Sequence, residues 1–135
     1  MSSFAGFPRR MRFTPVPNLF FSPLLPELND IAELKATLHI LWTLYQKRGY
    51  PKFVTYRELL GDRTLMKGIG DGAEGAEQAL REGLERAIGR GTLIHVALDR
   101  EGESEDLYFL NTEADREVVA RIERGELSLG ALPRR

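Results

Sequence analysis

Hydrophobic residues recur every three or four positions between Asn29 and Pro51, which predicts the longest helix of the chain. The residues that follow this repeat are Ile31, Leu34, Leu38, Leu41, Trp42 and Tyr45. Asp30 and Glu33 have the spacing of a capping box at its start. Because Ile40 and Leu44 widen the apolar face, we expect this helix to be covered on more than one side, with Trp42 largely buried.

Two shorter helical patterns and one longer pattern follow. Thr55 and Glu58 form a second capping-box pattern before a short helix, and one further turn is expected from Asp62 to Lys67. Four glycines between Gly68 and Gly75 predict a flexible connection. Helical spacing then resumes at Ala76 and continues to Gly89, which predicts the third helix.

The C-terminal third predicts a hairpin and one more helix. LIHVALD and DLYFLN are rich in β-branched and aromatic residues and flank a charged turn, as is typical of two paired strands. Thr112 and Asp115 then have capping spacing. Val118, Val119 and Ile122 give the following helix an apolar stripe that ends near Gly125.

The first 28 residues have no long periodic pattern. Residues 1–12 combine Arg9, Arg10 and Arg12 with phenylalanines, and we expect them to form a mobile arm. Four prolines between positions 13 and 28 restrict any helix there to short turns after Pro17 and after Pro23.

This order of elements predicts an α+β fold, mostly α: a winged helix-turn-helix domain with an N-terminal extended arm and an extra C-terminal helix. We divide the chain into the arm at 1–12, the winged-helix domain at 13–111, and a C-terminal helix and tail at 112–135. The last segment is a candidate oligomerisation element.

The segment FTPVPNLFFSPLLPELNDIAELKATLHILWTLYQKRGYPKFVTYRELL resembles the opening of the N-terminal winged-helix domain of DnaD-like primosome and phage replisome-organiser proteins. The matching residues are Phe13, Pro17, Asn18, Phe20, Phe21, Glu33, Leu34, Lys35, Leu38 and Trp42. The resemblance covers about the first half of the chain, and the hairpin by order only. It implies a module of DNA replication that acts in self-assembly and partner contacts. The Gly-rich loop and the acidic third helix depart from the family, and nothing matches its separate C-terminal DNA-binding domain.

Charge is distributed unevenly, although the net charge is only −1. Residues 1–67 contain 10 Lys/Arg and 5 Asp/Glu, whereas residues 68–135 contain 9 and 15. The basic half could meet a phosphate backbone, or opposite halves of two copies could attract each other. With no cysteine and no long apolar segment, we expect a soluble protein of the cytoplasm without a membrane span.

No residue pattern predicts catalysis, a cofactor or a metal site. GDGAEG at 70–75 matches a dinucleotide-binding pattern, but no good strand precedes it and its carboxylates would repel phosphate, so a hinge is favoured. His39 and His95 are the only histidines and have no grouped partners, which favours packing or hydrogen-bonding roles. No serine lies in a nucleophile elbow. We therefore expect a protein that is not an enzyme.

The third helix has the position of a recognition helix but lacks its chemistry. Its outward residues are expected to be Glu74, Glu77, Gln78, Arg81, Glu82 and Glu85. Arg81, Arg86 and Arg90 are expected to pair with the glutamates of the preceding turn. The hairpin tip around 100–106 is also acidic, and both features disfavour contact with a phosphate backbone.

The sequence leaves two functions open. In the first, the protein is a homo-oligomer that also contacts a replication-protein partner, through the interface residues Leu19, Phe20, Phe21, Val118, Val119, Ile122, Leu127, Leu129 and Leu132. The alternative is that these residues pack on the domain's own core. In the second, the basic half binds DNA weakly through Arg9, Arg10, Arg12, Lys47, Arg48, Lys52, Arg57, Arg63 and Lys67.

Overall fold

A computed structural model describes residues 3–100 and 102–127. Two short turns, Phe20–Leu24 and α1 (Leu25–Glu27), follow the prolines as expected and precede the long helix α2 (Ile31–Gln46). The later elements are β1 (Val54–Thr55), α3 (Tyr56–Leu60), α4 (Arg63–Ile69), α5 (Gly72–Arg90), β2 (Leu93–Arg100), β3 (Glu103–Leu110) and α6 (Glu113–Glu123). The fold is α+β and mostly helical.

Side-chain caps begin three of these helices where the sequence predicts them. Asp30 accepts a hydrogen bond from the backbone N–H of Glu33 at 2.9 Å, but the Glu33 carboxylate bonds to Arg90, so only half of the predicted capping box forms. Thr55 and Glu58 bond reciprocally and complete a capping box. The hydroxyl of Thr112 accepts from the backbone N–H three residues later at 3.0 Å. Each cap satisfies N–H groups that the first helical turn leaves without a partner.

The three strands form an antiparallel sheet in the order β1-β3-β2. Val54 of β1 and His95 of β2 both lie opposite Tyr108 of β3. Because side chains alternate along a strand, the two faces of the sheet enter different clusters. Leu93 and Tyr108 join a core with the helices α2, α3, α4 and α5.

The other face of the sheet is covered by α6. Val118, Val119 and Ile122 are buried and pack in a cluster with sheet residues that include Leu107 and Phe109. The sequence left open whether these three side chains form an oligomer interface or pack on the domain's own core. In the structure they pack on the core. The sheet is therefore a middle layer between α6 and the remaining helices.

The prediction that Trp42 is largely buried is wrong, because 47% of its surface is exposed. The inner face of α2 is instead formed around Ala36, Ile40 and Leu44. Since α2 is apolar on several sides, its periodicity does not determine which side meets the core. The small residues Ala32 and Ala36 lie on the buried side and permit the close approach of α5.

The prediction that the Gly-rich segment is a connection is also wrong, because most of residues 68–75 is helical. Helix α4 continues to Ile69, and α5 already begins at Gly72. A Cβ atom at Gly70 would lie 2.8 Å from the carbonyl oxygen of Gly75, so the two helices meet in a tight turn that glycine permits.

Helices α2 and α5 cross closely at Gly83, which suggests a stability test. A Cβ atom at Gly83 would lie only 3.0 Å from the carbonyl carbon of Ala32, which belongs to the backbone of α2. Gly83→Ala is expected to destabilise the protein by about 1–2 kcal/mol, because overpacking outweighs the gain in helix propensity. Gly89→Ala in the same helix meets no neighbouring atom and is expected to stabilise by about 0.5–1 kcal/mol.

Urea denaturation of the two alanine variants measures this difference. Equal stabilisation by both substitutions would contradict the close crossing of α2 and α5.

Candidate interaction surfaces

The outer face of α5 is acidic, as the sequence predicts. Its exposed polar residues are Glu74, Gln78, Arg81, Glu82, Glu85 and Arg86, and Glu77 beside them is half-buried. Gln78 donates a hydrogen bond to Glu82 at 2.8 Å, and Arg81 donates one to Glu77 at 3.0 Å. Donors that a recognition helix would offer to base edges are thus bonded to carboxylates of the same helix.

Tyr56, at the start of α3, extends this network. Its hydroxyl donates to Glu77 at 2.7 Å, and the Arg81 guanidinium lies 4.9 Å from the centre of its ring. Burial and the hydrogen bond to Glu77 raise the pKa of Tyr56 to about 12. The hydrogen bonds from Tyr56 and Arg81 lower the pKa of Glu77, which favours its carboxylate form. The network attaches α3 to α5.

Of the three ion pairs predicted between arginines and glutamates of α5, one forms, between Arg81 and Glu77. Arg86 lies 3.8 Å from Asp30, and Arg90 donates two hydrogen bonds to Glu33 at 2.7 and 3.0 Å. The predictions for Arg86 and Arg90 are therefore wrong, because α2 packs alongside α5 and supplies carboxylates from a distant part of the chain.

The two histidines each contact one carboxylate. His39 Nε2 lies 2.7 Å from Asp62, which links α2 to α4. Partial burial alone would raise the pKa of Asp62, but hydrogen bonds from His39 and the backbone N–H of Leu65 outweigh it and lower the pKa. His95 Nε2 lies 2.8 Å from Asp106 in the hairpin. Across residues 3–100 and 102–127, no group of three or more His, Cys, Asp or Glu side chains could hold a metal ion.

The ring of His95 also stacks on Tyr108, with 5.2 Å between ring centres. Burial raises the pKa of Tyr108 to about 12, and the negative charge of Asp106 adds to the effect. Nearer the hairpin tip, Glu103 accepts a hydrogen bond from Arg57 at 3.5 Å. The contacts of His95 lie within the hairpin, and the contact of Arg57 connects the hairpin to α3.

The basic residues proposed for DNA contact lie in several parts of the fold. Arg9, Arg10 and Arg12 are exposed in the N-terminal segment, and Arg48, Arg63 and Lys67 are exposed at helix ends or in turns. Lys52 is partly exposed. Lys47 bonds to Glu58 at 2.7 Å with only 10% of its side chain exposed, and Arg57 pairs with Glu103. Lys47 would have to leave its carboxylate partner to reach a phosphate.

The apolar residues proposed for an oligomer interface divide into exposed and buried groups. Leu19 and Phe21 are 73% and 53% exposed, whereas Phe20 is 5% exposed. Val118, Val119 and Ile122 cover the sheet, and Leu127 packs partly buried against the same cluster. Leu129 and Leu132 lie outside the described residues. Within the described part, Leu19 and Phe21 are therefore the members of this set that remain on the surface.

A second apolar surface was not predicted. The outward side of α2 carries Ile31, Leu38, Trp42 and Tyr45, with Lys35 between the first two, and we call these five residues the α2 stripe. The exposed fractions of the four apolar residues are 60%, 39%, 47% and 54%. The same residues belong to the main helical repeat of the sequence, but the repeat alone does not show which of its members stay outside the core.

Comparisons of the chain with known protein families, curated proteins and solved structures find no significant match. In the part of the chain that the structure describes, no helix is long and apolar enough to cross a membrane.

Proposed function

We propose that this protein is a non-catalytic winged helix-turn-helix module that acts in self-association and protein contacts rather than in DNA reading. The order α2, β1, α3, α4, α5 and hairpin supports the winged-helix assignment, as does the pairing of β1 with the second hairpin strand. In this proposal α5 has the place of the recognition helix and β2 with β3 forms the wing.

The acidic outer face of α5 is the observation that carries the proposal. Contact with DNA would bring its exposed glutamates towards phosphates, and it would require Gln78 and Arg81 to leave their carboxylate partners. Repulsion and lost hydrogen bonds both oppose such docking. Apolar side chains on other surfaces, including Leu19 and Phe21, are the better candidates for contacts.

The replication context of the proposal comes from the resemblance to DnaD-like proteins. In that context the module would be a cytoplasmic homo-oligomer that also contacts a replication protein. An isologous pair of copies is the simplest form of such an assembly.

A DNA-binding function through the basic half is the second candidate. The exposed arginines Arg9, Arg10 and Arg12 lie in a segment that also exposes Phe4, Phe7 and Phe13. Basic residues interleaved with aromatic side chains can contact phosphates and stack on bases. Such binding would be independent of sequence and strongly dependent on salt.

Titration with duplex DNA distinguishes the two functions. We expect weak or undetectable binding near physiological salt, and loss of any low-salt binding when residues 1–12 are removed. The double variant Gln78→Ala/Arg81→Ala is expected to leave the low-salt binding nearly unchanged. Circular dichroism of each variant controls for folding, since Arg81 also contacts Tyr56.

Tight, sequence-selective binding that the Gln78→Ala/Arg81→Ala variant abolishes would contradict the proposal and make α5 a true recognition helix. A light-scattering mass measured at micromolar concentration tests the self-association directly. A monomer at every concentration would contradict that part of the proposal.

A further inference from the structure

The α2 stripe has the spacing of a helix-pairing surface. Its five residues follow one another at intervals of four, three, four and three positions, which is the spacing of the contact line between paired helices. Helix α2 has 16 residues and is therefore about 24 Å long. The stripe stays exposed although residues 3–19 are present in the structure. Four exposed apolar side chains along one helix face are typical of a binding surface, unlike single exposed apolar residues.

The stripe is complementary to itself when two copies of α2 run antiparallel. With Leu38 on the twofold axis, Ile31 of one copy lies opposite Tyr45 of the other, so a smaller side chain meets a larger one. Lys35 then lies opposite Trp42. An ammonium group against the face of an indole ring is a favourable pair. Within one copy, the Lys35 ammonium group already donates a 2.7 Å hydrogen bond to the carbonyl oxygen of Gly68, which restricts its position.

The charges at the two ends of α2 favour the same orientation. Arg48 is exposed just beyond the C-terminal end. The side chain of Glu27, just before the N-terminal end, is 67% exposed and lies 3.7 Å from Arg90 of the same copy. Antiparallel pairing brings Arg48 of each copy towards Glu27 of the other. It also makes the two helix dipoles antiparallel, which is the favourable arrangement. Parallel pairing would instead place Lys35 beside Lys35.

We propose that the α2 stripe is the surface through which two copies of this protein pair, with their α2 helices antiparallel. This inference rests on the self-association in the proposed function and assigns it to one surface. A contact limited to one face of a 16-residue helix is expected to bury less than the roughly 800 Å² per partner of a standard interface, so a dimer that dissociates in the micromolar range is expected. The pairing leaves α5 and the hairpin free for a second partner.

Trp42 reports on this surface because it is the only tryptophan of the chain. Between about 1 and about 200 μM protein, we expect the mass to rise from monomer to dimer. Over the same range, Trp42 emission should shift to shorter wavelength and its quenching by iodide should fall. Both changes should have the same midpoint.

A matched pair of substitutions tests the assignment. Leu38→Glu places two like charges on the twofold axis and is expected to weaken the dimer by about 30-fold or more. Leu60→Glu is the control, because Leu60 lies on α3 and is 38% exposed, against 39% for Leu38. Its dimer should be unchanged. Equal effects of the two substitutions would overturn the assignment.

A charge exchange tests the antiparallel orientation. Arg48→Glu alone should weaken the dimer, and the double variant Arg48→Glu/Glu27→Arg should restore it, with Glu27→Arg alone as the control for the lost contact between Glu27 and Arg90 of the same copy. Failure of the double variant to recover would contradict the orientation. Thermal unfolding of all variants verifies that each remains folded.

The outcomes separate this inference from the proposed function. A dimer whose Trp42 emission does not change with concentration uses another surface, which overturns the inference and leaves self-association intact. A monomer at every concentration overturns both. Trp42 emission that is already at shorter wavelength in a monomer, and that reverts when residues 128–135 are deleted, would overturn the inference, because the stripe would then be covered by its own chain.

Discussion

Replacing Glu33 with Ala is expected to destabilise the protein by about 3 kcal/mol, the lower end of the range for breaking a buried ion pair. The Glu33 side chain is 0% exposed and accepts two hydrogen bonds from Arg90, at 2.7 and 3.0 Å. The lower end applies because the Arg90 side chain is 26% exposed, so its charge can reach water when the carboxylate is removed.

Arg90→Met should lower the melting temperature more than Glu33→Ala, because it leaves the Glu33 carboxylate buried without its partner. Replacing both residues, as Glu33→Leu/Arg90→Met, should recover much of the loss, since apolar side chains can substitute for a buried ion pair. Arg86→Met in the same helix is the control, because Arg86 is 56% exposed and lies 3.8 Å from its carboxylate. Thermal unfolding monitored by circular dichroism gives the melting temperatures of these variants. Equal effects of Arg86→Met and Arg90→Met would contradict a structural role for the Glu33 pair.

Val118→Asp is expected to destabilise the protein by about 3–5 kcal/mol, enough to unfold much of a domain of ordinary stability. Val118 is 2% exposed in the cluster between α6 and the sheet, so the new carboxylate would be buried without a partner. Ala114→Asp is the matched control, because Ala114 is exposed in the first turn of α6, where an acidic residue is favourable. Urea denaturation measures both variants, and similar stability would show that α6 does not cover the sheet.

This expectation also changes how the C-terminal segment can be tested as an interface. Deleting residues 112–135 would remove Val118, Val119 and Ile122 from the core and expose the sheet face beneath them. A loss of self-association in that deletion would therefore reflect unfolding as much as a lost contact. Substitutions at exposed positions, such as Leu38→Glu, separate the two effects.

The sequence alone determined those features that depend on residues close together in the chain. The caps at Asp30, Thr55 and Thr112 are recognised from side chains three residues apart, and the hairpin from two short runs around a charged turn. The outward direction of the α5 glutamates is also local, because the helical repeat alone places them. The acidic character of the candidate site was therefore predictable.

The tertiary structure alone decided which side of α2 is inside and which carboxylates hold the arginines of α5. Helix α2 is apolar on more than one side, so its repeat fits two orientations, and the close crossing at Gly83 selects the side with Ala32 and Ala36. Trp42 is left outside by that choice. Arg90 lies 57 residues from Glu33 along the chain, and no local spacing predicts a pair that forms only when the two helices pack.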